Sequence, residues 1–436
     1  MIFSLDVRRA RKGDCLLLHF GTAENPHLII IDGGPSNVYG PHLKPRIEKI
    51  RKERGLAASK ALPVDVLMVS HVDDDHIRGI LDLTREEMQA VSAKQPKMLK
   101  VLDFWHNSFD AVISHNTKPL TAAFTEHFGA AAVNGGPLSD DAVDKVVMAS
   151  DEETDVLESG LQVLASIEQG FRLRDAANAL GYPLNAAFDN ELIVARKDAE
   201  PAPVAELEVT VVGPMLKELD ALRKKHVEWL EALKAAGKKP PTALAEYVDK
   251  SVPNLSSLVF MVQAGKKRIL LTGDARGDKI IEGLELVGLL EPKGTIDVDI
   301  VKVPHHGSSN NLDDDFFERI RAPHYVFSGN GEHGNPERES LAMLFKARGS
   351  EPLTVHLTYP VDKIDEERQK DWEKEQAKEK KRQAAGSTKP VRDDWSDEEN
   401  SLAAFLDALV LAPGQHVSIV DEKQSHVIDL FEPLGY

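Results

Sequence analysis

The stretch Ser70-His71-Val72-Asp73-Asp74-Asp75-His76-Ile77-Arg78-Gly79 follows directly on the apolar segment 64–69. That segment is rich in β-branched residues and predicts a buried β-strand. Two imidazoles and three carboxylates at the end of one strand would lose their hydration, and the carboxylates would repel each other. A divalent cation bound between them would offset both costs. The stretch therefore predicts a metal site. The alternative is an exposed acidic turn with incidental histidines.

Three further apolar segments end in polar groups of the same kind. Thr272-Gly273-Asp274 closes the segment 269–271, and His305-His306-Gly307-Ser308-Ser309 follows the segment 300–303. Residues 328–336, which include His333, follow the segment 325–327. Polar groups just beyond the strand ends of an open α/β sheet converge on one crevice that binds ligands. The recurrence therefore predicts a single site assembled from several strand ends.

Strand and helix patterns alternate along most of the chain, which predicts an α/β layered domain. Predicted strands lie at 2–7, 15–20, 28–31, 64–69, 207–212, 258–262, 268–271, 298–303, 325–327 and 353–357, with helices at 41–54 and 276–289. Residues 107–206 have helical spacing and predict an insertion. Residues 361–400 are dominated by charge and predict a solvated helix or a disordered linker. Residues 415–430 predict a short β-hairpin.

Composition limits the function. The 436 residues are 42% hydrophobic and 28% charged, which is typical of a globular protein. The single cysteine, Cys15, cannot form a thiolate cluster, so His, Asp, Glu or Asn must hold any metal. A formal charge of -18 opposes binding to long duplex DNA. Neither a membrane-length apolar run nor a signal-like start is evident, so we expect a cytoplasmic protein without membrane contact.

The motifs together resemble the metallo-β-lactamase superfamily. They are His71-x-Asp73-x-Asp75-His76, Ile31-Asp32-Gly33-Gly34, Thr272-Gly273-Asp274 and Val303-Pro304-His305-His306-Gly307-Ser308. Their order is most similar to the hydrolase domain of bacterial DNA-uptake (competence) channel proteins. The resemblance implies an αββα sandwich formed by residues 1–106 and 207–358. Residues 107–206 would be the helical insertion, 359–400 a charged linker or helix, and 401–436 a C-terminal helix and short hairpin.

The resemblance also implies a ligand set for one or two divalent ions. Asp75, His76 and His305 would bind one ion and His71 and Asp73 the other, with Asp274 between them. Asp32 would orient the ligand loop. The wider superfamily has His where Asp73 and Asn254 stand here, and oxygen ligands favour Mn²⁺ or Mg²⁺ over a second Zn²⁺. Whether His305 or His306 binds the metal stays open at this point.

The implied reaction is hydrolysis by a metal-activated water. Asp75, His306 and His333 are the catalytic candidates, the two histidines as proton donors or phosphate contacts. A phosphodiester such as single-stranded nucleic acid or a nucleotide is the expected substrate. Polar side chains near the expected rim favour it, although the Arg and Lys among them are equally consistent with ordinary surface charge: Lys302, Arg276, Arg78, Ser308, Ser309 and Asn310. The alternatives are an ester, lactone or thioester hydrolase of the same fold, or an inactive metal-binding scaffold whose insertion or charged C-terminal segment binds a protein partner.

Overall fold

The computed structural model describes residues 1–107, 169–221, 223–224, 256–384, 386–420 and 424–436. Its first sheet has six strands in the order β16-β1-β2-β3-β4-β5. These strands are β1 (Ile2–Val7), β2 (Leu16–Gly21), β3 (Pro26–Ile31), β4 (Leu62–Met68), β5 (Leu99–Trp105) and β16 (His426–Asp429). Strand β4 is parallel to both of its neighbours, β3 and β5.

The second sheet has eight strands in the order β15-β14-β13-β11-β9-β8-β7-β6. They are β6 (Ala202–Val204), β7 (Leu207–Gly213), β8 (Val259–Ala264), β9 (Lys267–Leu271), β11 (Ile300–Lys302), β13 (His324–Phe327), β14 (Leu353–Leu357) and β15 (Gln415–Ile419). The strands from β9 to β15 in that order are parallel. A separate parallel pair is formed by β10 (Ile296–Asp297) and β12 (Ile320–Arg321).

Helices pack against both large sheets, and further helices follow toward the C-terminus. They are α1 (Lys44–Glu53), α2 (Asp74–Ser92), α3 (169–180), α4 (Gly277–Leu286), α5 (Asp314–Arg319), α6 (Arg338–Arg348), α7 (Val361–Ala384), α8 (Asp397–Asn400) and α9 (Leu402–Ala408). No helix in the described ranges combines the length and the apolarity that crossing a bilayer requires.

Three apolar clusters follow from the alternation of side chains along the strands. On β2, Leu16, Leu18 and Phe20 join a cluster that also contains Phe260 and Leu271 of the second sheet. The intervening Leu17 belongs instead to a cluster with residues of α1, α2 and α3. A third cluster combines the other face of the second sheet with α4, α5 and α6. The molecule is therefore a mixed α/β structure whose two large sheets share one core.

Two C-terminal expectations need comment. The predicted hairpin at 415–430 is wrong, because β15 pairs with β14 in the second sheet and β16 pairs with β1 in the first. Two short strands close in sequence pair with each other only if neither can pair with the edge strand of a larger sheet. Here β1 and β14 are such edge strands, one in each sheet. The charged segment begins with the helix α7, which is anchored by the buried Ile364.

The predicted insertion at 107–206 lies largely outside the described residues. Its described end includes α3, whose Leu173 and Ala177 are buried in the cluster on the outward face of the first sheet. That part of the segment therefore belongs to the packed core of the domain.

Candidate metal centre

The predicted site residues of the first sheet come from the turn between β4 and α2. Ser70 and His71 follow the end of β4, and Asp74 begins α2, so Asp75 and His76 lie in its first turn. Carboxylates are favoured there by the positive end of the helix dipole. A Cβ on Gly79 would lie 1.9 Å from the carbonyl oxygen of Gly33, so glycine alone permits this close approach of α2 to the loop after β3.

The second sheet supplies the opposite side from two strand ends. Asp274 follows β9, and a tight turn after β11 carries His305 and His306. His305, His306 and Gly307 all have positive φ, at 47°, 56° and 86°. Non-glycine residues rarely adopt this conformation, and histidine does so more readily than most. The turn reverses the chain directly at the sheet edge, and it buries His306 while His305 stays part-exposed.

Asp75, His76, Asp274 and His306 form one group in which a ligand atom of each lies within 4.8 Å of the others. Oδ1 of Asp274 is 3.2 Å from Nε2 of His76 and 3.5 Å from Nε2 of His306. Nε2 of His306 is also 3.7 Å from Oδ2 of Asp75. All four side chains thus aim at one small volume.

The other oxygen of Asp274 faces a second set of groups. Its Oδ2 is 3.7 Å from Nε2 of His71 and 3.8 Å from Nε2 of His305. Nε2 of His71 is also 3.7 Å from Oδ2 of Asp73, and His71, Asp73 and Asp75 form a further potential ligand group. Asp274 therefore lies between two ligand sets. The structure brings His306 into the first of them and leaves His305 beside the second.

Polar atoms at the centre are buried without hydrogen-bond partners among the described residues. Nε2 of His71, His76 and His306 and Oδ1 of Asp274 are buried, and none has a hydrogen-bond partner of acceptable geometry among the described residues. A buried polar atom left unpaired costs about 1–3 kcal/mol. Nε2 of His76 and His306 face Oδ1 of Asp274 and Nε2 of His71 faces its Oδ2, so cations on either side of Asp274 would satisfy these atoms.

Asp32 holds the first-sheet ligands from behind. Its Oδ2 is 2.8 Å from Nδ1 of His76 and accepts a 2.6 Å hydrogen bond from Oγ of Ser70. Its Oδ1 accepts the backbone N–H of Ser70 at 2.7 Å. A carboxylate that accepts from Nδ1 turns the opposite nitrogen, Nε2, toward the metal position. Asp32 thus contacts the loop that it was predicted to orient, and its role in metal binding stays a prediction.

The cluster places carboxylates and imidazoles of opposite charge close together away from water. Burial opposes ionisation of Asp274, but the charges of His76 and His306 hold its pKa well below the usual range. Burial likewise opposes protonation of His306, but Asp274 and Asp14 raise its pKa to about 10. The pKa of His76 is also raised, by Asp274 and Asp32 against the effect of burial. A metal must therefore displace protons from these imidazoles.

Asp14 is the site residue that the sequence analysis missed. It is buried in the turn before β2, with Oδ2 2.6 Å from Nζ of Lys302 and Oδ1 3.5 Å from Nδ1 of His306. Gly13-Asp14 at the edge of a strand repeats the pattern of Gly273-Asp274, and this was the available signal. The pairing also corrects the expectation for Lys302, which is 1% exposed and unavailable at the rim.

The other predicted residues have varied placements. His333 lies on the turn Glu332–Gly334 outside the ligand groups, with Nε2 3.1 Å from Nζ of Lys12. Arg276 pairs with Asp278, and Ser309 donates to Glu337. Asn254 lies outside the described residues. Burial raises the pKa of the Cys15 thiol, so this side chain is not a nucleophile.

A cavity of about 790 Å³ opens beside His333. Its lining includes Asn310, Arg338 and residues of α7, among them Trp372. The helix is joined to the His333 turn because Asp371 accepts the backbone N–H of His333 and Arg368 donates to the carbonyl of Pro336. The charged segment, predicted as a solvated helix or a disordered linker, thus begins with a helix that forms one wall of this cavity.

Comparisons with known proteins give limited matches. No protein-family model matches the chain. Microtubule-associated protein 1A from rat is 32% identical over 146 residues, which is 31% of this chain and 5% of that protein. The human protein is 32% identical over 132 residues, 28% of this chain and 5% of its own length. The chain therefore spans about 5% of the length of these curated relatives.

Among solved structures, a protein from Parabacteroides distasonis aligns with 81% of this chain and 93% of its own. It is provisionally described as a metal-dependent hydrolase, and the alignment has 9% identity and a TM-score of 0.33. Similarity at that level does not indicate a shared fold or activity.

Proposed function

We propose that this protein is a metal-dependent hydrolase whose substrate is a phosphodiester. The observation that carries the proposal is the convergence of Nε2 of His76 and His306 on Oδ1 of Asp274, while Nε2 of His71 faces its Oδ2. All three imidazole nitrogens and Oδ1 are buried without a hydrogen-bond partner among the described residues. The three apolar clusters further support the αββα layering of the metallo-β-lactamase superfamily, with a helical layer against each sheet.

The donor set fits a divalent cation of intermediate hardness. Asp75, His76, Asp274 and His306 would hold one ion, and His71 and Asp73, with His305 beside them, would hold a second. Mixed imidazole and carboxylate ligands suit Zn²⁺ and Mn²⁺. A divalent ion bound there supplies an acidified water at neutral pH and stabilises charge on the substrate oxygens.

The protein's own groups would bind and orient the substrate. The loop that carries Lys12 packs on the site, since a Cβ on Gly13 would lie 1.8 Å from the carbonyl oxygen of Asp75. Nζ of Lys12 donates toward Nε2 of His333, which places a cation and an imidazole together at the entrance. These two groups can contact phosphate oxygens or transfer a proton to the leaving oxygen. The cavity beside them has room for the groups that flank a scissile phosphodiester.

The test compares Asp274→Asn with Asp278→Asn. The first change keeps the shape of the side chain and removes the charge between the two ligand sets, while Asp278 lies on the exposed side of α4. We expect Asp274→Asn to lower metal affinity by more than about 100-fold, since even outer contacts cost 10–100-fold. Hydrolysis of bis-p-nitrophenyl phosphate with Mn²⁺ or Zn²⁺ should fall with it, and Asp278→Asn should match the wild type.

The metal content of both variants is measured by mass spectrometry after removal and return of the ion. Hydrolysis of a p-nitrophenyl ester without phosphodiesterase activity would replace the proposed substrate class with a carboxylic ester. Equal metal content in Asp274→Asn and the wild type would contradict the proposed centre. Full metal binding with no turnover of either substrate would favour the scaffold.

A further inference from the structure

Two buried hydrogen bonds and an ion pair lie in series behind His306, on the side away from Nε2. Nδ1 of His306 is 3.1 Å from Oγ of Ser328, and that hydroxyl donates to Oδ1 of Asp14. Oδ2 of Asp14 is in turn 2.6 Å from Nζ of Lys302. All four side chains are at most 2% exposed, so water does not compete for these contacts.

The direction of donation in this series follows from the donor inventory. An ionised carboxylate only accepts, and a hydroxyl carries one hydrogen. Because Ser328 gives its hydrogen to Asp14, its oxygen can only accept from His306. Nδ1 of His306 is therefore the protonated nitrogen, and in the neutral ring the lone pair is on Nε2, which faces Asp274.

The charge on Asp14 is compatible with this direction. Oδ2 of Asp14 is 2.6 Å from Nζ of Lys302, and both side chains are buried. The Lys302 cation thus supplies the opposite charge that a buried carboxylate acceptor needs.

The same arrangement occurs on the first sheet. Oγ of Ser70 donates to Asp32 at 2.6 Å and is 3.1 Å from Nδ1 of His71. By the same reasoning Ser70 accepts from His71, and the lone pair of His71 is on Nε2. His71 and His306 thus each have a serine–aspartate pair behind them, although Asp14 comes from the turn before β2 and so from the first sheet.

We propose that Ser328, Asp14 and Lys302 are positioning residues that hold His306 in the tautomer and orientation able to bind a metal. The inference rests on the proposed function, because it assumes that His306 is a metal ligand. It assigns a role to a buried lysine that no step of the hydrolysis itself uses.

The test uses Ser328→Ala, which removes one hydroxyl and leaves every proposed ligand in place. We expect affinity for Zn²⁺ and for Co²⁺ to fall about 10–100-fold, as for other outer contacts of metal-bound histidine. The visible absorption of the Co²⁺-loaded protein should change, because freed rotation of His306 alters the ligand field. Asp14→Asn should act in the same direction, since it removes the charge that balances Lys302.

The matched control is Ser340→Ala on α6. Ser340 is also fully buried, and its Oγ has no hydrogen-bond partner among the described residues. Wild-type affinity and an unchanged Co²⁺ spectrum in Ser328→Ala would overturn the positioning role while the metal centre stands. Absence of Co²⁺ binding by the wild type would overturn the metal centre itself, and the two failures are thereby distinguished. Thermal unfolding of each variant separates a local effect from loss of fold.

Discussion

In three imidazoles of the candidate metal centre, Nδ1 contacts a polar side chain and Nε2 is directed toward Asp274. His76 uses Nδ1 with Asp32, while His71 and His306 use Nδ1 with Ser70 and Ser328. This uniformity has a physical cause, because a ring whose Nδ1 donates has its lone pair on Nε2. The residues that decide the tautomers are short polar side chains at strand ends. The Gly13-Asp14 pair repeats the Gly273-Asp274 pattern, and Ser328 lies in a predicted polar cluster, but which of these side chains contacts which imidazole depends on strand placement and could not be assigned from sequence.

Metal binding should depend steeply on pH, because protons and the metal compete for the same nitrogens. The pKa of His306 is raised to about 10 in the metal-free protein, so between pH 6 and 9 the ring must lose a proton on binding. Affinity should therefore rise with pH by about tenfold per unit for each proton released. Calorimetric titration with Zn²⁺ in buffers of different ionisation enthalpy counts those protons.

Two other histidines provide the controls for this measurement. His306→Gln should lose about one proton from the pH slope along with affinity. His305→Gln affects only the second ligand set and should keep the proton that His306 releases, while His416→Gln on the exposed side of β15 should match the wild type. An affinity that does not change between pH 6 and 9 would contradict the charge state derived for His306.

At the scale of elements, the sequence predicted most strands of both sheets and their order along the chain. The segments at 2–7 and 353–357 match β1 and β14 residue for residue, because alternating or continuous apolar patterns bounded by turns leave little choice. Pairing partners were not predictable in the same way. The C-terminal strands separate into different sheets because open edges at β1 and β14 compete with the local hairpin. The helix α7 gave no apolar pattern, since Ile364 and Gln376 are its only buried residues.

One contact between elements has a testable pH response. His324, His356 and His426 form a row across β13, β14 and β16, with nitrogens 3.1 Å and 2.9 Å apart. Burial lowers the pKa of His356 to about 3 and that of His426 to about 4. The unfolded chain therefore binds more protons than the folded protein below about pH 6.5. Stability should be complete above that pH and should decrease as the pH falls toward 4.

His356→Gln should make this decrease less steep by up to about 1.4 kcal/mol per pH unit, the value for one proton. Urea unfolding between pH 7.5 and 4.5 measures the slope, and His416→Gln on the exposed side of β15 serves as the control. Parallel slopes for the wild type and His356→Gln would show that the row does not exclude protons.

At the scale of the whole molecule, the candidate centre joins the two sheets. The first sheet contributes His71, Asp75 and His76 after β4, and the second contributes Asp274 after β9 and His306 after β11. The sheets also share an apolar cluster that includes Phe20 and Phe260, and Asp14 of the first sheet contacts Lys302 and Ser328 of the second. A bound ion would add a directional link between the same two sheets, at the edge where parallel strands end.

Metal should therefore stabilise the entire fold and not only the site. An ion that binds the folded state alone adds about 2.7 kcal/mol at a free concentration 100 times its Kd. For a chain of this size that increment raises the Tm by a few degrees. We expect Zn²⁺ or Mn²⁺ to raise the Tm of the wild type in differential scanning fluorimetry and a chelator to reverse the change. Asp274→Asn should show no shift while Asp278→Asn shows the full one. If Asp274→Asn gained as much stability from the ion as the wild type, the stabilising ion would lie elsewhere in the protein, and Asp274 would not be the carboxylate that links the two sheets.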